Sequence, residues 1–350
     1  MRDIRFDILK GVAILGVILA HVPLHPVVFQ LRNFDVPLFV ICSGALFGIS
    51  SAGDRPWLGY VGSRAYRLLL PCWIFLTIYF LSRAMIDRAG GVPFRFSAGQ
   101  MIAEYALRSR VIGLWIIRVF LFVSMLAPLL AGLRRRFRES AVFLSILGGC
   151  YLLYEIANAL AAAIAPGLVY RILTVTLFEA VPYGILFGFG MVLPSLSRRH
   201  VAQAALGFGV LHLATALVLS RAGQVIQTQS YKHPPTVYYL SYAVAVSLLL
   251  YLAVFHLNSI DLRWAAPFIF LGSSILWVYL WHWFAGDYLV PLTQQSGLLG
   301  AVLLKPPVLF LFVLTMTMLV VRLQHIVLEF GIERLPCWAK HQRLLRTLVL

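Results

Sequence analysis

Ten long apolar runs dominate the sequence and restrict the folds open to it. A helix needs about 20 mainly apolar residues to cross a bilayer core, and only α-helices and closed barrels satisfy their backbone hydrogen bonds there. Of the 350 residues, 61% are hydrophobic and 12% are charged, which is not a soluble composition. We therefore predict an all-α integral membrane protein with a bundle of about ten transmembrane helices. Their predicted ranges are 8–24, 34–50, 61–82, 111–132, 140–163, 172–194, 201–220, 237–256, 265–285 and 303–325.

The distribution of positive charge predicts on which side of the membrane the termini lie. An even number of helices puts both termini on one side. Segments on that side hold 18 of the 29 Lys and Arg residues, and segments on the other side hold 10, which favours cytoplasmic termini. The net charge of +16 lies mainly in short loops, so it indicates topology and contact with anionic lipids and not a nucleic-acid surface. We divide the chain into a transmembrane domain at 1–330 and a basic cytoplasmic tail at 331–350.

The first apolar run carries two ionisable side chains at a helical spacing. Lys10 and His21 are eleven residues apart, so both project from one helix face, about 16 Å apart along the axis. Ionisable groups in a span are costly unless they face a cavity or a partner. Taken alone, Lys10 can extend to the headgroups, and His21 can be a core histidine or mark the helix end before Pro23. Their placement on one face favours a functional pair.

Two arginines open the third run. Arg64 and Arg67 are three residues apart and hence neighbours on a helix, at about the depth of Lys10. Guanidinium groups bind phosphate in a bidentate geometry. The motif predicts a cytosolic anion site, and positive-inside topology is the alternative explanation.

Another polar residue, Asp35, is expected near His21, close to the outer surface of the membrane. Asp35 begins the second run and either fixes the tautomer of His21 or caps its own helix. Lys232 and His233 precede Pro234 and Pro235, which force an extended backbone and direct the preceding side chains inward.

Aromatic and polar residues in two later runs are candidates for substrate binding. Tyr238, Tyr279 and His282 present polar atoms among aromatic rings. That combination suits a sugar, and it is also typical of the aromatic belt at a membrane surface. With Lys232 and His233, these three residues complete the predicted substrate-binding set.

Other ionisable residues have structural interpretations. Glu155 and Glu179 lie within apolar runs and need a partner, for which Arg118 is the candidate, so we predict a buried ion pair. His21 and His25 have a spacing that could suit a metal, but Pro23 lies between them and no third ligand is evident, so we predict no metal site. The four cysteines show neither metal-ligand nor disulfide spacing.

Taken together, these motifs resemble the membrane-bound acyltransferase 3 family of bacterial glycan O-acyltransferases. The resemblance covers most of the chain, and its strength comes from several weak motifs in the right order. The shared pieces are Lys10 with His21, VPLFVICSG at 36–44, Arg64 with Arg67, KHPPTVYYL at 232–240, and VYLWH at 278–282.

The resemblance implies an acyltransferase of the bacterial inner membrane that uses acetyl-CoA as its acyl donor. Arg64, Arg67 and Lys10 would hold the phosphates of acetyl-CoA from the cytosol. His21 would be catalytic, acting as a general base or accepting the acetyl group itself. Asp35 is added as a catalytic candidate because of its expected closeness to His21 and not because of the resemblance. The implied acceptor is a sugar hydroxyl of a surface or secreted polysaccharide, or of its lipid-linked oligosaccharide precursor.

Two other classes of function would also fit a membrane protein with charges inside its spans. A transporter or flippase for a lipid-linked saccharide would also place charges in the membrane, but the sequence shows no inverted repeat and no paired broken helices. A structural subunit of a polysaccharide assembly complex would leave the one-face placement of Lys10 and His21 unexplained.

Overall fold

Helices form almost all of the regular structure. The computed structural model describes residues 3–108, 112–164, 167–256, 262–289 and 305–334, and within these ranges it contains no strand. The helices are α1 (Ile4–Leu19), α2 (Pro26–Leu31), α3 (Asp35–Gly48), α4 (Trp57–Ala89), α5 (Ala98–Tyr105), α6 (Trp115–Arg136), α7 (Ser140–Ile164), α8 (Leu168–Leu173), α9 (Glu179–Val192), α10 (Arg198–Arg221), α11 (Val237–His256), α12 (Leu262–Ser273), α13 (Ile275–Phe284) and α14 (Pro306–Arg334).

The lengths of these helices confirm an all-α membrane bundle. Among the described residues, eight helical segments are long and apolar enough to cross a membrane, or nine if α12 and α13, bent by 80°, form one span. The first predicted span corresponds to α1, which has 16 residues and is too short to be one of these eight segments. With α1 included, each of the ten predicted spans corresponds to a helix or a helix pair.

The C-terminal division at residue 330 falls inside a helix. Helix α14 continues to Arg334, so the first four residues of the predicted tail are helical. Residues 335–350 of that tail lie outside the described residues, and the cytoplasmic location of the termini stays a prediction.

Helix α1 lies in the core of the bundle and packs against α3 and α12. Its residues Leu9, Ile14 and Ile18 have no exposed surface. The helix begins at an N-cap, since Asp3 accepts a hydrogen bond from the backbone of Arg5. It ends at Leu19, four residues before Pro23, because a proline disfavours helical backbone at the preceding residue and cannot donate to the helix. The apolar interior therefore contains a short central helix.

Helices α3 and α9 cross at very short range. A Cβ atom added to Gly44 would lie 2.1 Å from the Phe187 carbonyl oxygen, and one added to Gly190 would lie 2.2 Å from that of Ile41. Small residues at such crossings let two helix backbones approach closely in a membrane. The contact holds α3, which carries Asp35, firmly against the bundle.

We expect Gly44→Ala to destabilise the protein, because its new methyl group has no space. Overpacking of this kind costs about 1–3 kcal/mol, and a fall in the thermal unfolding midpoint of detergent-solubilised protein measures it. Gly148→Ala is the matched control, since a Cβ there meets nothing within 4 Å and alanine favours helix over glycine. Equal midpoints for the two variants would contradict the close α3–α9 contact.

Candidate active site

The end of α1 sets the orientation of His21. The backbone N–H of His21 donates to the Ile18 carbonyl at 3.0 Å, so the chain continues for a further tight turn. The Nδ1 atom of its ring lies 2.8 Å from the Val17 carbonyl oxygen. Because a carbonyl oxygen only accepts, the hydrogen-bond network assigns the proton to Nδ1. Neutral His21 then carries its lone pair on Nε2, so Nε2 is the ring nitrogen that can accept a proton.

Helix α13 supplies two rings that hold the imidazole of His21. His282 places Nε2 3.3 Å from Nδ1 of His21, and the Trp283 ring packs edge-on with its centroid 4.3 Å from that of His21. His282 is 1% exposed. His282 therefore lies where it can position His21, and its predicted contact with substrate stays a prediction.

Gly113 allows Trp283 to reach His21. Its φ is +64°, and a Cβ added there would lie 2.3 Å from the Trp283 ring. Its carbonyl oxygen accepts a hydrogen bond from the Tyr279 hydroxyl at 2.7 Å. A residue with a side chain would be strained and would displace the tryptophan. Sequence reasoning missed Gly113 and Trp283 as members of the site.

His21 faces a cavity of about 160 Å³, which we call the His21 cavity. Polar groups line much of it, since Arg32, Asp35, Lys232 and His233 all contribute to its walls. The predicted proximity of Asp35 to His21 is therefore observed, and Lys232 and His233 line the same cavity. The prediction that Lys232 points inward is also confirmed, since it is only 3% exposed.

Asp35 joins two cations and the start of its own helix. Its Oδ2 accepts from Arg32 at 2.8 Å, and its Oδ1 accepts from the Val36 N–H at 2.7 Å and from Lys232 Nζ at 3.4 Å. Asp35 is the first residue of α3 and accepts from the N–H of the next residue, whereas the N-cap residue, Phe34, has no side-chain capping hydrogen bond. The Val17 carbonyl, described above, occupies the position from which Asp35 was expected to fix the tautomer of His21. A catalytic role for Asp35 stays a prediction.

A loop far along the chain closes over this cluster. Arg32 donates from Nη2 to the Gln229 side chain at 3.3 Å, and Gln30 accepts hydrogen bonds from the Thr228 hydroxyl and the Gln229 N–H. Arg32 precedes Asp35 by three residues, an i,i+3 spacing that could have revealed it in the sequence. The sequence contains no comparable signal for Gln229.

Lys232 is held in a mainly apolar setting. Its Nζ lies 5.4 Å from the centroid of the Trp115 ring and 5.8 Å from that of Tyr239. Burial lowers the pKa of Lys232, and the nearby Arg32 charge lowers it further, while the Asp35 carboxylate raises it. The carboxylate therefore favours the charged form of an amine that burial disfavours.

A second cavity, of about 270 Å³, contains the three predicted phosphate-binding cations. We call it the Lys10 cavity; Lys10, Arg64 and Arg67 all line it. Lys10 pairs with Asp7 at 2.7 Å. Arg64 and Arg67 are exposed, and in the described ranges neither has a carboxylate partner within ion-pair distance. Their positive charge is thus available to a ligand.

The two cavities meet at one apolar side chain. Ile116, near the start of α6, lines both the Lys10 cavity and the His21 cavity. Tyr279, predicted to bind the acceptor sugar, lines the Lys10 cavity instead. Ile116 therefore lies between the cavity of the arginine pair and the cavity of His21.

Tyr238 is the predicted substrate-binding residue that the structure does not bring to the site. It is 5% exposed, and its hydroxyl donates to the Ile226 carbonyl at 2.6 Å. Its ring stacks on His212, with the centroids 4.6 Å apart. These contacts explain Tyr238 as a packing residue between α10 and α11.

The predicted buried ion pair is present. Arg118 donates to Glu179 Oε2 at 2.7 Å, and Glu179 Oε1 lies 3.1 Å from Nδ1 of His233. Glu155 has a different role, since it accepts from the Val237 N–H at the start of α11 and from the Tyr151 hydroxyl. Glu179 thus connects the ion pair to a wall of the His21 cavity.

The long apolar helices, with buried charged residues between them, define a multi-pass membrane protein. Residues 3–322 match the family model described as an acyltransferase domain. The chain therefore belongs to the acyltransferase 3 family and is a membrane acyltransferase, as the motifs predicted. Searches of curated proteins and of solved structures found no match. In the described part of the chain, no group of three or more His, Cys, Asp or Glu residues could hold a metal ion.

We expect Arg118→Met to destabilise the protein by about 3–5 kcal/mol, because it leaves the buried Glu179 carboxylate without its guanidinium. The thermal unfolding midpoint of purified protein measures the loss. The double variant Arg118→Met/Glu179→Leu should recover part of it, since no buried charge then lacks its partner. Arg136→Met, an exposed position on the same helix, is the control. A single variant as stable as this control would show that the pair contributes nothing.

Proposed function

We propose that this protein is an O-acetyltransferase of the bacterial inner membrane that moves acetyl groups from cytosolic acetyl-CoA to a sugar hydroxyl. The acceptor is a surface or secreted polysaccharide or its lipid-linked precursor. One observation carries the proposal: Ile116 lies between a cavity lined by the exposed Arg64 and Arg67 and a cavity lined by His21. Such an arrangement suits a long, flexible donor with a charged head and a reactive tip.

The Lys10 cavity fits the donor. Arg64 and Arg67 supply planar guanidinium groups for the phosphates of coenzyme A, and the excess of positive charge on their side favours a cytosolic opening. Beyond the cations, the walls are mainly apolar and include Ile14, Phe39 and Leu46. A neutral pantetheine arm can enter these walls, whereas the charged nucleotide stays outside.

His21 is placed to carry the chemistry. Its Nε2 takes the proton from the sugar hydroxyl while the hydroxyl oxygen forms a bond to the thioester carbon. The carbon–sulfur bond then breaks, and the departing coenzyme A sulfur receives the proton from His21. If the acetyl group passes through the enzyme, the same Nε2 bonds to the thioester carbon first and coenzyme A leaves as a thiolate. The sugar oxygen then bonds to the acetyl carbon as the bond from that carbon to Nε2 breaks, and the hydroxyl proton passes to the thiolate.

The acceptor can approach from the opposite side. The His21 cavity shares Phe29 and Gln229 with an open depression of about 380 Å³. Gln30, Gln227 and Ser230 also line this depression. Amides, a hydroxyl and an aromatic ring suit sugar hydroxyl groups and the apolar faces of sugar rings.

We expect His21→Ala to lower acetyl transfer by about two to four orders of magnitude, because it removes the general base. Membranes are incubated with labelled acetyl-CoA and glycan extracted from the same cells, and the label on the glycan is counted. His200→Ala is the control, since this histidine is exposed on α10.

Two outcomes would contradict the proposed mechanism or function. Full transfer by the His21 variant would exclude His21 from the reaction. Movement of saccharide across the membrane without any label on the glycan, already in the unaltered protein, would indicate a transporter.

We expect Ile116→Trp to separate donor binding from transfer. The larger side chain fills the junction, so acetyl transfer should fall about a hundredfold, the scale of a displaced reacting group. The affinity for coenzyme A, measured by calorimetry, should stay the same. Leu129→Trp, a position on the same helix that is 62% exposed, is the matched control. Normal transfer by Ile116→Trp would show that the donor does not pass this point.

A further inference from the structure

We infer that Lys232 is a catalytic residue that donates a hydrogen bond to the oxyanion of the tetrahedral intermediate. The inference rests on the proposed function, because acyl transfer from a thioester places negative charge on the carbonyl oxygen. It gives Lys232 a specific part in the reaction, beyond general contact with a substrate.

Among the described residues, the charges around His21 do not balance. Arg32, Asp35 and Lys232 are 5%, 1% and 3% exposed and form one connected cluster of two cations and one carboxylate. The adjoining Arg118–Glu179 pair has one charge of each sign. The cluster therefore keeps one surplus positive charge in a buried setting, which is unfavourable until an anion appears beside it. The reaction itself produces such an anion.

Lys232 has hydrogen-bonding capacity to spare. Its ammonium has three N–H donors, and its contact with Asp35 is long, at 3.4 Å. Asp35 is held more closely by Arg32 and by the Val36 N–H, at 2.8 Å and 2.7 Å. Lys232 can therefore turn toward a new acceptor without leaving Asp35 unpaired.

Arg32 is less suited to this task. Its two terminal nitrogens already donate to Asp35 and Gln229. Its Nε atom has no hydrogen-bond partner among the described residues, but it is buried and so is not open to a substrate. Lys232 lines the same cavity as His21, so one group can receive the hydroxyl proton while the other faces the carbonyl oxygen. This division of roles between His21 and Lys232 requires no other charged residue.

The step balances as follows. When the sugar oxygen bonds to the thioester carbon, the carbonyl π electrons move to oxygen, and Lys232 donates a hydrogen bond to that oxygen without giving up its proton. When the carbon–sulfur bond breaks, the electrons return to form the carbonyl of the acetyl ester. Lys232 ends the cycle as an ammonium, as it began.

The test compares two coenzyme A analogues on the purified full-length protein in lipid nanodiscs. Acetonyl-CoA is a ketone that mimics the donor in its ground state, and trifluoroacetonyl-CoA hydrates to a tetrahedral carbon with an acidic hydroxyl. We expect the unaltered protein to prefer the fluoroketone. Lys232→Met should lose about tenfold or more of that preference while its affinity for the ketone stays within about threefold. Lys232→Arg should keep part of the preference, and Lys305→Met, at an exposed site, should keep all of it.

Each other outcome overturns a defined statement. Equal preference in Lys232→Met and the unaltered protein, or an equal loss of affinity for both analogues, would exclude the oxyanion role and leave the proposed function intact. A lack of preference for the fluoroketone in the unaltered protein would also exclude the oxyanion role and leave the proposed function intact. This result does not depend on whether Lys232→Met folds. Failure of both analogues to bind the unaltered protein would overturn the proposed function itself. Lys232→Gln serves as a second neutral variant.

Discussion

The ion cluster of Arg32, Asp35 and Lys232 is the interaction on which the site depends. It joins residues from the start of the second span to a loop almost 200 positions later, with contacts at sequence separations of 197. Charges this deeply buried persist only when they are paired and hydrogen-bonded. The requirement for pairing therefore fixes the loop over the His21 cavity and shapes the surroundings of the imidazole.

Around this cluster, the apolar scaffold contributes distance and direction. The close crossing of α3 and α9 holds Asp35 in place, and α13 presses His282 and Trp283 against His21. The Val17 carbonyl then determines which ring nitrogen is free to act. Polar chemistry is thus set by helix packing, because side chains on tightly packed helices have few alternative positions.

The sequence predicted the helices, the gathering of Lys10, Arg64 and Arg67, and the pairing of Arg118 with Glu179. The helices follow from long apolar runs, and the charged groups follow from the high cost of unpaired charges in a membrane. The apolar runs and the charged residues can both be read directly from the sequence. The roles of Gly113 and Gln229 could not be predicted, because they depend on contacts between distant segments. The packing of Tyr238 against His212 could not be predicted either, since a tyrosine that packs in this way has the same local pattern as one that binds a sugar.

Ile116 raises the question of how a membrane enzyme avoids becoming a pore. If the Lys10 cavity and the His21 cavity open toward opposite faces, as the proposed function requires, a continuous chain of water between them would let protons leak across the membrane. A branched hydrocarbon side chain at their junction breaks any water wire and repels bare ions, and it can still yield to a slender uncharged arm. The same residue that lets an acyl group pass would in this way preserve the electrical insulation of the membrane.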